Sequence, residues 1–186
     1  MSKHEVQTAT REEMDQCVAV IVLAFANDPA ARWMYPDAHQ YLKNFPLFVR
    51  AFGGQAFEHG SGHYIDEFGA AALWLPPGAH PDEEALVALV EDSVPAKDRE
   101  TVFGVFEKMG AFHPSEPHWH LPLIGTDPTR QGTGLGSVLL RYALAICDEQ
   151  QTPAYLEATS DRNVSLYQRH GFKVLGTIRV GTSPPH

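Results

Sequence analysis

Three glycines alternate in the run Gln131-Gly132-Thr133-Gly134-Leu135-Gly136-Ser137, between a stretch with strand character and one with helical periodicity. Glycine tolerates positive φ and lets a ligand approach the main chain without a side chain in the way. The first turn of a helix carries unpaired N–H groups and about half a positive charge, so a glycine-rich helix start is suited to an anion such as a pyrophosphate. Other uses of such a loop fit less well. A Walker loop needs Gly-Lys-Ser/Thr, and no lysine occurs between Met109 and Lys173. A dinucleotide fingerprint needs G-x-G-x-x-G in the first strand-to-helix turn, whereas this spacing is G-x-G-x-G and lies late in the chain. The remaining alternative is a turn that only permits close packing of helix on sheet.

A second group of chemically able residues follows the loop. Asn163 and Tyr167 are four apart on a short predicted helix and share a face. His118 and His120 alternate onto one face of a predicted strand, and Glu157 lies on the next one. His113, His118 and His120 match no closed zinc spacing and have no cysteine nearby, so no metal is expected. Trp33, Tyr35, His39, Trp74 and His118 are candidates to line an acceptor pocket, the alternative for the aromatics being that they are core.

These residues need a scaffold, and the apolar periodicity supplies one. Thr10-Arg11-Glu12-Glu13 has capping-box form, and Met14, Cys17, Val18, Ile21, Val22 and Phe25 then mark an amphipathic helix. Asn27-Asp28-Pro29 ends it, and a second helical region over about 37–52 is interrupted or kinked at Pro46 and closed by Gly53-Gly54. Residues 63–66 and 70–75 read as a hairpin, and 82–112 as two helices inserted between strands. A strand over 117–127 leads to the glycine loop, and a helix over about 134–150 leaves it. A strand at 153–159, a helix at 162–170 closed by Gly171, and a strand at 172–180 complete the pattern.

Composition narrows the function. The chain has 186 residues, 44% apolar, enough for one domain spanning 1–186. Its apolar stretches are far shorter than the roughly 20 residues of a membrane span, and the polar start Met1-Ser2-Lys3-His4-Glu5 is no signal peptide, so a cytoplasmic protein is expected. Cys17 and Cys147 fall on apolar helix faces and read as free thiols. A formal charge of -9 without a Lys/Arg cluster argues against nucleic-acid partners.

Gln131-x-x-Gly134-x-Gly136, after Ile124-Gly125-Thr126-Asp127-Pro128, resembles the Q/R-x-x-G-x-G/A motif of the GNAT acetyltransferase superfamily. Asn163 to Phe172 resembles its second signature, N-x-x-x-x-Y-x-x-x-G-F. The more detailed likeness is to puromycin N-acetyltransferase and its relatives, through His118-Trp119-His120-Leu121, the glycine loop, and Pro153-Ala154-Tyr155-Leu156-Glu157. The resemblance implies an α/β (α+β) fold with a mostly antiparallel mixed sheet, helices on both faces and a last strand apparently missing. It implies acetyl-CoA as co-substrate, held by main-chain groups of Ile124, Gly125 and Thr126, by Gln131, Gly132, Thr133, Gly134, Leu135, Gly136 and Ser137, and by Asn163 and Tyr167. The acceptor it implies is a primary amine of a small molecule, such as an aminoacyl-like or antibiotic-like compound, with the chain a monomer or homodimer. O-acetyl transfer, acetylation of a peptide amine, and an idle acetyl-CoA-binding module are the alternatives.

Tyr167 matches the family's proposed acid. Many members carry a glutamate on the strand equivalent to 118–126, and this stretch has none, which leaves His120 or Glu157, acting through water, as base candidates. An α-amino group with pKa about 7.7–8.0 is roughly 10–20% neutral at pH 7, whereas a lysine-like amine is only ~0.04% neutral. An aminoacyl-type acceptor therefore places a weak demand on any single base.

Overall fold

The computed structural model describes residues 4–185; the reading of the start as polar falls partly on residues 1–3, and His186 closes the chain, all outside the described residues. In chain order the elements are β1 (Val6–Thr8), α1 (Met14–Ala24), α2 (Pro29–Met34), α3 (Ala38–Gly53), α4 (Gln55–Glu58), β2 (Gly62–Ile65), β3 (Ala70–Leu75), α5 (Glu83–Ser93), α6 (Ala96–Phe112), β4 (Trp119–Thr126), α7 (Leu135–Glu149), β5 (Ala154–Leu156) and α8 (Asp161–Arg169). The five strands form one sheet in the order β1-β2-β3-β4-β5, antiparallel except for the parallel pair β4–β5.

Strand parity separates two apolar layers. Ala71, Leu73 and Leu75 of β3 face a cluster formed with α1 and α3, while Ala70, Ala72 and Trp74 face one formed with α7. The capping box is present: the Glu13 carboxylate accepts from the Thr10 amide at 2.8 Å and from the Thr10 hydroxyl at 2.9 Å. Gly125 lets α1 settle onto β4, because a Cβ there would stand 2.7 Å from the Ala24 side chain and 3.2 Å from the Ile21 backbone. The hairpin turn takes Asp66, Glu67 and Phe68 through left-handed φ of 51–64°. Phe68 stacks on Tyr64 with ring centroids 4.1 Å apart, and Arg130 donates to the Asp66 carbonyl at 3.0 Å, fastening the turn from both sides.

Three expectations change. The break after α1 continues directly into α2, with Asp28 as N-cap and Pro29 at its first position, a favourable start for a helix. Residues 6–8 add an edge strand too short to show periodicity. Residues 172–180 form no strand: the segment packs on α6, where Val180 meets Gly104, Phe112 meets Gly176, and Lys108 donates to the Arg179 carbonyl at 3.0 Å. Its backbone makes no ladder pairing with another strand among the described residues, and packing on α6 takes the place of ladder bonds.

Candidate active site

Pro122 breaks the regularity of β4. Leu73 pairs with Leu123 but Leu75 pairs with His120, so β4 carries one extra residue across Leu121–Pro122. A bulge reverses side-chain parity and bends the strand, and proline, lacking an N–H, is accommodated there. As a result His120 below the bulge and Leu123 above it face the α1–α3 layer, whereas Leu121 and Ile124 face α7.

The parallel pairing of β4 with β5 covers only Trp119↔Ala154, His120↔Tyr155 and Leu121↔Leu156. Beyond it β4 continues to Thr126 while the other chain proceeds through Glu157 and Thr159 to α8. The ladder between the two strands thus ends at the bulge.

That loop is exposed from Gln131 to Gly134. Gly132 and Gly134 have φ of 79° and 91°, and a Cβ at either would meet nothing within 4 Å, so a concave backbone surface faces open space. Gly134 caps α7 without a side-chain bond, leaving first-turn amides around Leu135, Gly136 and Ser137 for an external acceptor. Gly136 lies beside Thr126 and Leu166, and Ser137 shares a 3.0 Å hydrogen bond with His170, so α8 is fastened to the start of α7. Gln131 folds its amide toward the Thr126 carbonyl at 3.4 Å. Asn163 is half-buried on α8, its backbone N–H donating to the Ser160 hydroxyl at 3.4 Å.

On the opposite face a cavity of about 80 Å³, partly open to solvent, runs between α1, α2, α3, α6 and β4. Phe25, Trp33, Phe48, Phe52, Phe106 and Met109 are among its walls, with Asp28, Glu157 and Thr159 as its polar contributors. Of the aromatic candidates, Trp33 lines this cavity; His39 is exposed on α3 and is not among its walls. Tyr35 and Trp74 do not. Tyr35 is 1% exposed with its hydroxyl on Ser93 at 2.8 Å, and Trp74 is fully buried on the β3 face that meets α7. Both are core, as strand parity dictates for Trp74.

Glu157 is the electrostatic centre. Its side chain is 6% exposed, and His120 Nε2 donates to its Oε2 at 2.9 Å. His113 Nε2 lies 3.3 Å from Oε1, an oxygen that accepts no hydrogen bond. Burial alone would push the Glu157 pKa up, but hydrogen bonding and charge from His113 and His120 outweigh it and hold it at about 2. His118 is joined to His113 at 3.0 Å (Nε2 to Nδ1) and its own Nδ1 to the Glu116 carbonyl at 2.8 Å. Because a carbonyl only accepts, His118 donates from Nδ1 and His113 donates to it. Donor atoms of His113, His120 and Glu157 lie within 4.8 Å of one another, close enough to hold a metal ion. Histidine spacing had directed attention to His118; the grouping instead draws Glu157 from the adjacent strand.

Tyr167 is buried beside Phe172, with ring centroids 6.0 Å apart, and burial and the Asp28 charge both push its pKa upward. Asp28 was read only as a helix stop. It accepts from Ala30 and Ala31 at 2.9 and 3.0 Å and from the Thr159 hydroxyl, joining α2 to the segment after β5. Its N-cap position before Pro29 was legible; its place on the cavity was not.

A bulged strand, a ladder that ends at the bulge and a glycine-capped helix define a class that comparison with known proteins identifies. Residues 69–172 match the acetyltransferase (GNAT) family model, and the chain belongs to that family. It is similar to an uncharacterised N-acetyltransferase of Schizosaccharomyces pombe, 23% identical over 177 residues that cover 87% of this chain and 71% of that one. A Corynebacterium glutamicum histone acetyltransferase HPA2 and related acetyltransferase superposes with a TM-score of 0.67 at 30% identity, covering 98% of this chain and 92% of the other. A Drosophila melanogaster polyamine N-acetyltransferase that forms N-acetylagmatine shares the fold at 17% identity and a TM-score of 0.65, over 95% and 86% of the two chains. The protein is thus an acyltransferase. Among the described residues no helix is long and apolar enough to cross a membrane.

Proposed function

We propose that the chain transfers acetyl from acetyl-CoA to a primary amine of a small molecule, of the aminoacyl type that the sequence resemblance suggests. The observation that carries this reading is the end of the β4–β5 ladder at Leu121↔Leu156, with the glycine-capped start of α7 on one side of the sheet and the cavity that Glu157 lines on the other. The residues present fit the cofactor. Amides from Gly132 to Ser137 would hold the pyrophosphate, and main-chain groups of Ile124, Gly125 and Thr126 would pair with the pantetheine arm beyond the end of the ladder. Bound there, acetyl-CoA supplies an acetyl thioester.

The protein's own contribution follows from charge. Glu157 stays ionised and draws an ammonium into the cavity. A proton released there passes to the Glu157–His120 pair. Tyr167, kept protonated by its surroundings, donates toward the sulfur; a thiol of pKa ~8.5 leaves readily enough that this help stays near the low end of the 10²–10⁴-fold range for acid catalysis. A thiol-release assay with acetyl-CoA against aminoacyl analogues, arylalkylamines, diamines and peptides tests the proposal. Release with at least one small amine is expected; tight acetyl-CoA binding without release from any acceptor would refute it.

A further inference from the structure

We infer that the acceptor is an amine with a single cation joined to an apolar, ring-bearing body, and that α6 is the element that selects it. The inference rests on the acetyltransferase reading and deepens it at the same cavity.

Polar groups gather at one end. Glu157 and Thr159 are two residues apart on the segment that leaves β5, and the Thr159 hydroxyl donates to Asp28. The cavity's anionic side chains, Asp28 and Glu157, therefore stand together around one point. Elsewhere the described walls are hydrocarbon and aromatic rings, from Phe25 of the α1 end, Phe48 and Phe52 of α3, and Val102, Phe106 and Met109 of α6. Neither lysine nor arginine lines the cavity among the described residues. An amine with one cationic end satisfies both halves of this surface. A diamine or agmatine of comparable length places its second cation against the rings, where it gives up hydration for ring faces alone and meets no carboxylate.

The 82–112 insertion gives this wall its distinctive part. Val102 and Val105 of α6 are buried and Phe106 lies over Phe48, centroids 6.4 Å apart. The outer side of α6 is held by the chain's last segment, which also reaches across to α2, where the Trp33 indole N–H donates to the Thr182 hydroxyl at 3.2 Å. The wall is thus braced from behind, and its shape discriminates between acceptors.

The test compares kcat/KM for phenethylamine, ethylamine and agmatine at saturating acetyl-CoA, in the full chain and in Phe106→Ala and Phe106→Leu, with each rate normalised to the neutral amine. Phenethylamine is expected to exceed both other amines by roughly 10- to 200-fold or more, the discrimination that even one methylene gives in an apolar pocket. Phe106→Ala lowers the phenethylamine-to-ethylamine ratio, while acetyl-CoA affinity and the circular dichroism spectrum stay unchanged; Phe106→Leu gives the smaller loss and serves if the alanine variant does not fold. Agmatine used as well as phenethylamine, or a ratio untouched by both substitutions, overturns the inference and leaves the acetyltransferase reading standing. Acetyl-CoA bound with no thiol released from any amine overturns both.

Discussion

The two sides of the sheet recognise by different means. On the α7 side, a turn of seven consecutive residues presents backbone amides to open space, and its selectivity resides in φ angles and a helix dipole. On the α1–α3–α6 side, side chains from five elements and from the segment after β5 converge on one cavity. Main-chain recognition is contiguous and insensitive to the fold around it; side-chain recognition is assembled from distant parts and depends on every crossing between helices. It follows that damage to one side should leave the function of the other measurable.

The largest effect tests whether a residue belongs to either function. Trp74→Ala is expected to destabilise the fold by about 3–5 kcal/mol through the cavity left in the α7 layer, read by denaturant unfolding. A large loss of amine affinity at unchanged stability would return Trp74 to the acceptor site. Tyr167→Phe, at the junction of the two sides, is expected to lower kcat by up to roughly 10²-fold with acetyl-CoA affinity preserved. An unchanged kcat in a chemistry-limited assay removes it from the mechanism. Gly134→Val forces a β-branched residue into a left-handed φ of 91°, at about 1–2 kcal/mol of strain. We expect acetyl-CoA binding to weaken about tenfold by calorimetry, with the relative use of different amines unchanged; a shift in that preference would break the separation of the two sides.

Smaller effects concern protons and metals. Since Glu157 is ionised far below neutral pH, it adds no limb to the profile between pH 5 and 9, and kcat/KM should rise about tenfold per unit until the amine's own pKa. His120→Ala is expected to cost more at pH 7 than at pH 9, where the amine already arrives neutral; loss of turnover at both values without weaker substrate binding would make His120 indispensable. Treatment with a chelator is expected to leave turnover unchanged, and a loss restored by zinc would show that the His113, His120 and Glu157 cluster works with an ion.

The same contrast explains what the sequence disclosed. The glycine loop, α7 and the Thr10–Glu13 cap were legible because each is specified within a few residues by turn chemistry or helical period. The hairpin and the two inserted helices were legible for the same reason. Asp28, Phe106 and His113 were not, since their meeting with Glu157 depends on which faces α2, α6 and the β4 bulge present to one another. The extended reading of 172–180 failed because alternation cannot tell a segment beside a strand from one laid across a helix. Trp74, open in the sequence to a place in the pocket or in the core, lies in the core, where parity along β3 puts it.

The fastening of the hairpin turn to the glycine loop has an electrolyte consequence. Arg130 is the arginine next to the loop, and its guanidinium is committed to the Asp66 carbonyl, with the Asp66 carboxylate 3.9 Å away. A bound polyanion there would meet oriented dipoles in place of that mobile positive charge, on a chain whose formal charge is -9. Salt weakens the attraction of exposed helix-end dipoles for an anion, but it also screens the repulsion between a polyanion and an acidic chain, over a Debye length of about 8 Å under physiological conditions. The two trends oppose, so acetyl-CoA affinity in this protein should vary little as ionic strength is raised, unlike the steep decline shown by sites built from lysine and arginine.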